Sequence, residues 1–251
     1  MVDIISEKFR LNDVEGIIFD KDGTITDSNV YWSEIIKRRA KKISNDFNLE
    51  KDNHHELIRE MGLDLLTNKL LPEGPIAIKS RKEVIIKILN YLENHNIKVK
   101  IEDLDIIFKQ IHEDFSKEAK KYILPIHSAY KLIKVLKQFK VKLFLITSDT
   151  KFNAEETIKV MNIPNHFDFV IGGDSGFGDK RFGEGIKHIC NQFNLSSEKL
   201  ISIGDAPVDH EMAVNANLKA SILVESGQIK RNKLCKYSKY CVSNLSEIRI
   251  K

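Results

Sequence analysis

The stretch Gly16-Ile17-Ile18-Phe19-Asp20-Lys21-Asp22-Gly23-Thr24-Ile25 decides the fold. A short, continuously apolar run ends abruptly in two carboxylates. A run this short and this apolar reads as a strand buried on both faces, the habit of parallel sheets. The same pattern recurs downstream. Leu143-Phe144-Leu145-Ile146 runs into Thr147, Phe169-Val170-Ile171 into Gly172-Gly173-Asp174, and Leu200-Ile201-Ser202-Ile203 into Gly204-Asp205; Ser221-Ile222-Leu223-Val224 comes after them. Helical patterns separate these runs, such as Ala129, Leu132, Ile133, Val135, Leu136 and Phe139. Strand alternating with helix predicts an α/β fold with a Rossmann-like, doubly wound parallel sheet.

Between Thr24 and Pro125 the character changes. Only Gly62 and Gly74 fall there, whereas six of the twelve glycines lie between Gly172 and Gly185. Val84, Ile85, Ile88, Leu89 and Leu92 recur at three- and four-residue spacing, as do Leu104, Ile107, Phe108 and Ile111. These are amphipathic helices that need one another for burial. Leu71-Pro72-Glu73-Gly74-Pro75 interrupts them as a loop. The expected organisation is a Rossmann-like core of residues 1–28 and 125–251, with an all-helical cap of residues 29–124 inserted after the first strand. A helical block on two connectors can act as a lid.

Composition narrows the function classes. The chain has 251 residues, 42% hydrophobic and 30% charged, enough apolar content to exclude wholesale disorder. Three cysteines, Cys190, Cys235 and Cys241, exclude a disulfide scaffold and fit a reducing compartment. No segment approaches the roughly 18 apolar residues of a spanning helix, and Met1–Arg10 does not read as a signal peptide. A cytoplasmic location with no membrane partner is expected. The net charge of +4 is spread along the chain, which is ordinary surface solvation and no argument for nucleic acid. Oligomeric state is not readable.

Ligands in open parallel sheets bind beyond the carboxyl ends of the strands. Asp20, Thr147 and Asp205 each end a run, so the fold predicts that they converge. Asp20 and Asp22 leave one strand end together, and close carboxylates require a proton or a cation between them. Asp205 and Asp209 add negative charge. Such an all-oxygen site suits Mg²⁺; zinc fits poorly, because no Cys/His pair has ligand spacing. Thr147 and Ser148 offer a hydroxyl and a backbone N–H, and Lys180 a positive charge, to a phosphate group. In a phosphoryl-transfer site of this kind Asp20 would attack phosphorus. Asp22 would protonate the leaving oxygen and then deprotonate the hydrolytic water.

These residues resemble the motifs of the haloacid dehalogenase superfamily, in its phosphoglycolate-phosphatase-like branch with a helical cap. Asp20-Lys21-Asp22-Gly23-Thr24 is similar to its first motif, Thr147 to the second, Lys180 to the third, and Gly204-Asp205-Ala206-Pro207-Val208-Asp209 to the fourth. The resemblance implies Asp20 as nucleophile and Mg²⁺ ligand, and Asp22 as acid/base with its main-chain oxygen on the metal. It implies Asp205 as the further ligand, Asp209 as support behind the site, and Thr147 and Lys180 as phosphoryl holders. The third motif often continues with proline, whereas Arg181 stands here, and Lys187 is a rival to Lys180. The implied activity is Mg²⁺-dependent hydrolysis of a small phosphorylated metabolite: phosphoglycolate, a sugar phosphate or a nucleotide. A phosphomutase of the same family, similar to beta-phosphoglucomutase, and a non-catalytic phospho-aspartate module are the alternatives. Asp149, Asp174 and Asp179 read as loop acids. Lys37-Arg38-Arg39 reads as a solvated face, with Arg38 or Arg39, and Arg81, as weak candidates to meet a substrate anion.

Overall fold

The computed structural model describes residues 1–72, 74–79 and 81–251; Glu73, within the expected loop, lies outside the described residues. Contacts divide the chain into two compact units, residues 1–27 with 123–251, and residues 28–122.

The first unit is built on six parallel strands. From edge to edge they are Cys241–Val242, Ala220–Val224, Leu200–Gly204, Gly16–Phe19, Lys142–Ile146 and Phe169–Ile171. Gly16–Phe19 is central, and all four of its residues are buried. Its side chains alternate between two cores. Ile17 and Phe19 pack with Ala129, Leu132, Ile133 and Leu136 of helix His127–Gln138 and with Ala154 and Ile158 of helix Lys151–Val160. Ile18 packs on the opposite face with Ile186 and Ile189 of helix Glu184–Phe193 and Met212 of helix Pro207–Asn215. Apolar burial on both faces is why this strand shows no polar alternation.

Two features differ from the expectation. Val2–Ile5, Arg10–Val14 and Arg249–Ile250 form a separate three-stranded antiparallel sheet, ordered with Val2–Ile5 in the middle. Gly16–Phe19 is therefore the third strand of the chain, although it is the first of the parallel sheet. The second unit is also not wholly helical. Its helices Ser28–Asp46, Lys51–Glu60, Pro75–Ile78, Arg81–Asn94 and Ile101–Ser116 enclose Ile36, Ala40, Leu57, Ile88 and Phe108. A two-residue ribbon, Leu63–Asp64 against Lys69–Leu70, joins them. Local turn chemistry closes it: Asp64 accepts hydrogen bonds from Leu66 N–H and Thr67 Oγ1, and Asn68 takes a left-handed φ of 52°.

Candidate active site

Register brings the strand ends together. Phe19 pairs with Leu145 on one side and Ile203 on the other. Asp20 is thus level with Ile146 and Gly204, and Thr147 and Asp205 emerge one residue further along. All three are buried.

Lys180, delivered by the turn Lys180–Phe182, places Nζ 2.5 Å from Asp20 Oδ1 and 2.7 Å from Asp209 Oδ1. Oxygen atoms of Asp20, Asp205 and Asp209 lie within 4.8 Å of one another. One ammonium therefore faces three buried carboxylates. Burial, opposed by Lys180 and reinforced by Asp209, pushes the Asp20 carboxyl up to about 6. Burial, with Asp20 and Asp209 beside it, lifts Asp205 well above the usual carboxylate range. Lys180 is buried too, but Asp20 and Asp209 outweigh that cost and hold it firmly cationic. The second Asp209 oxygen accepts from Ala206 N–H at 3.0 Å, which fixes the carboxylate at the start of helix Pro207–Asn215.

Two glycines form the walls. Gly23 has φ +89°, and a Cβ there would overlap the Asp205 carboxylate; a Cβ at Gly227 would overlap it as well. Ser226 Oγ donates to Gly23 C=O at 2.7 Å and ties these two walls together. The donor set fits a hard divalent cation. Its oxygens converge, their negative charge exceeds the single ammonium, and glycine lets two backbone segments close tightly on the Asp205 carboxylate.

The Asp22 carboxylate is not in that trio. Lys21, itself almost wholly buried, reaches Asp22 Oδ1 at 2.7 Å and Asp149 Oδ2 at 3.0 Å. Burial raises the Asp22 carboxyl, with Lys21 pulling the other way. At Asp149 burial also acts upward, but Lys21, Asn153 Nδ2 and Thr150 N–H together hold the carboxyl below its ordinary value. Asp149 is therefore not the loop acid the sequence suggested. Its side chain is 5% exposed and anchors the start of helix Lys151–Val160 to the loop after the central strand. Asp179 does serve a turn, accepting from Arg181 N–H, whereas Asp174 accepts from Lys151 N–H, 23 residues away at the start of helix Lys151–Val160.

Thr147 Oγ1 accepts from Asp149 N–H at 3.1 Å, while Ser148 beside it is exposed. Lys187 pairs with Glu184 on the surface, so Lys180 is the lysine that reaches Asp20. Thr24 is fully buried, and its hydroxyl has no hydrogen-bond partner among the described residues. Sequence reasoning missed Lys21, Asp149, Ser226 and Gly227. The first pair left a faint signal: a lysine directly after a buried strand needs a buried acid, and Asp149 follows Thr147 by two residues. The second pair left none, because only the sheet order brings residues 226 and 227 to the end of the central strand.

The profile of the haloacid dehalogenase-like hydrolase family matches residues 17–223. A phosphoglycolate phosphatase of Colwellia psychrerythraea is 23% identical over 211 residues, which are 83% of this chain and 84% of that protein. Among solved structures, a predicted phosphoglycolate phosphatase of Haemophilus somnus superposes with a TM-score of 0.72 at 14% identity, covering 94% of this chain and 97% of that one. A protein proposed to be a beta-phosphoglucomutase, from Thermotoga maritima, gives 0.65 at 21% identity, covering 93% and 96%. At these identities the structures show a shared fold.

Proposed function

The chain belongs to the haloacid dehalogenase-like hydrolase family and is a phosphatase of that family; on that premise we propose that it hydrolyses a small phosphate monoester in two steps through an aspartyl phosphate on Asp20. The carrying observation is the meeting of Asp20, Asp205 and Asp209 around Lys180 at the strand ends.

In the first step an Asp20 carboxylate oxygen attacks phosphorus. The new bond is Asp20 O–P, and the bond that breaks is P–O to the alcohol. Asp22 gives its proton to that leaving oxygen. In the second step Asp22 takes a proton from water, the water oxygen attacks phosphorus, and the Asp20 O–P bond breaks to release inorganic phosphate. Lys180 and the Thr147 hydroxyl hold the equatorial phosphoryl oxygens, where charge is stabilised. Ser148, exposed next to Thr147, offers its backbone N–H to the same group. Asp20 and Asp205, with the main-chain oxygen of Asp22, would hold Mg²⁺, and Asp209 would steady Lys180 behind them. Bound there, Mg²⁺ neutralises negative charge on the phosphoryl group and on the carboxylates around it.

The test is a phosphate-ester panel with Mg²⁺ and direct detection of free phosphate. Phosphoglycolate, sugar phosphates and nucleotides belong in it, since this family's relatives include a phosphoglycolate phosphatase. Release of phosphate from one class is expected. Isomerisation of a hexose 1-phosphate with no phosphate released would make the protein a mutase and overturn the reading.

A further inference from the structure

Adjacent arginines on helix Ser28–Asp46 have opposite surroundings. Arg38 is fully compensated: Nε bonds Glu34 at 2.7 Å, Nη1 bonds Glu118 at 2.5 Å, and Nη2 reaches Tyr122 Oη at 3.2 Å. Arg39 is the more buried of the two, at 6% exposure. Among the described residues no carboxylate pairs with it, and its Nε makes no hydrogen bond. Its guanidinium carbon lies over the Phe108 ring, with Cζ 4.1 Å from the centroid. Stacking uses the face of the cation and leaves its in-plane N–H donors available. The neighbouring cation is Arg81, which itself pairs with Asp105 at 3.0 Å, and the Tyr31 phenol acts weakly the other way. Burial, and after it Arg81, hold the Arg39 guanidinium down at about 9.

A buried cation is tolerated when an anion meets it, and an isolated one is costly. Planar guanidinium donors match the paired oxygens of a carboxylate, sulfate or phosphate. We propose that Arg39 is the recognition residue of an oxyanion site within the helical unit, its unpaired N–H donors binding an oxyanion group of a small molecule. The site lies in residues 28–122 and does not rest on the phosphatase reading.

The chain carries its own reporter. Trp32 is its single tryptophan, seven residues before Arg39 on the same helix, and packs on the cluster that contains Phe108. Seven residues are two helical turns, so both side chains share a face. The intact chain, held in EDTA, is titrated with inorganic phosphate and separately with malonate, against chloride at equal ionic strength. Trp32 fluorescence and the melting temperature are read together. A saturable response to phosphate, malonate or both is expected, and the more effective probe identifies the oxyanion class. Arg39→Met should abolish it. Arg39→Lys, which keeps the charge but loses the planar fork, should weaken binding roughly tenfold or more. No response in either signal overturns the proposal. So does a response retained by Arg39→Met, which would assign the anion to Lys180 and the strand ends. Should Arg39→Met fail to fold, unchanged affinity in Arg39→Lys overturns it and weakened affinity supports it.

Discussion

At the scale of single residues, two buried lysines separate two roles. Lys180 faces Asp20 and Asp209, and Lys21 faces Asp22 and Asp149. Asp20→Asn removes the proposed attacking oxygen while changing little volume. Turnover should be lost with an unchanged far-UV circular dichroism spectrum, and substantial residual phosphate release would defeat the nucleophile assignment. Lys21→Met should act on stability first. It leaves two carboxylates in a buried setting without their cation, and breaking such a network by removing one partner costs about 3–5 kcal/mol. Urea denaturation should show that loss. Because the damage is uncompensated charge, adding Asp149→Asn to Lys21→Met should cost less than the sum of the two single changes. A strictly additive pair would show that the Lys21–Asp149 contact carries no coupling.

At the scale of elements, the site depends on the segments that leave the strand ends. The segment after Ala220–Val224 brings Ser226 onto Gly23 and Gly227 against Asp205. Gly227→Ala places a methyl where the Asp205 carboxylate lies, so the segment or the carboxylate must move. The sheet stays intact, and the expected loss is selective: native circular dichroism with a much reduced rise in melting temperature on adding Mg²⁺. A full Mg²⁺ response in Gly227→Ala would show that this wall plays no part. The central strand answers differently. Ile18 is fully buried against Ile186 and Met212, and Ile18→Ala should cost about 2–5 kcal/mol in urea unfolding through the cavity it leaves.

At the scale of the whole molecule, a divalent ion and protons compete for the same carboxylates. Without a metal, burial pushes the Asp20 carboxyl from its ordinary 3.8 up to about 6. A raised folded value means that protonated Asp20 favours the fold, a contribution present at low pH and lost as pH rises through 6. Mg²⁺ binding to the ionised groups runs the other way, and at 100 times its dissociation constant a ligand of the native state adds about 2.7 kcal/mol. The Mg²⁺-induced rise in melting temperature should therefore be large at pH 8 and shrink below pH 6, and EDTA should reverse it. A rise independent of pH would argue that the ion binds away from Asp20.

Much of this architecture was legible in the residues alone. Short apolar runs before Asp20, Thr147 and Asp205 carry continuous apolar character and a sharp polar terminus, and burial of a parallel strand on both faces leaves few other readings. The ordered aspartates, threonine and lysine carry the chemistry for the same reason: each is the polar residue with which a buried element or its turn ends. The ribbon Leu63–Asp64/Lys69–Leu70 and the antiparallel sheet joining the two termini were not legible: the ribbon strands and Arg249–Ile250 have two residues each, and Arg10–Val14 carries three polar residues in five with no apolar run. Neither were the contacts of Lys21 with Asp149 across 128 positions, or of Gly23 with Ser226 across 203. Hydrophobic pattern is a local property and can be read along the chain. Which charge meets which across a sheet depends on strand order and register, and those exist only once the strands have paired.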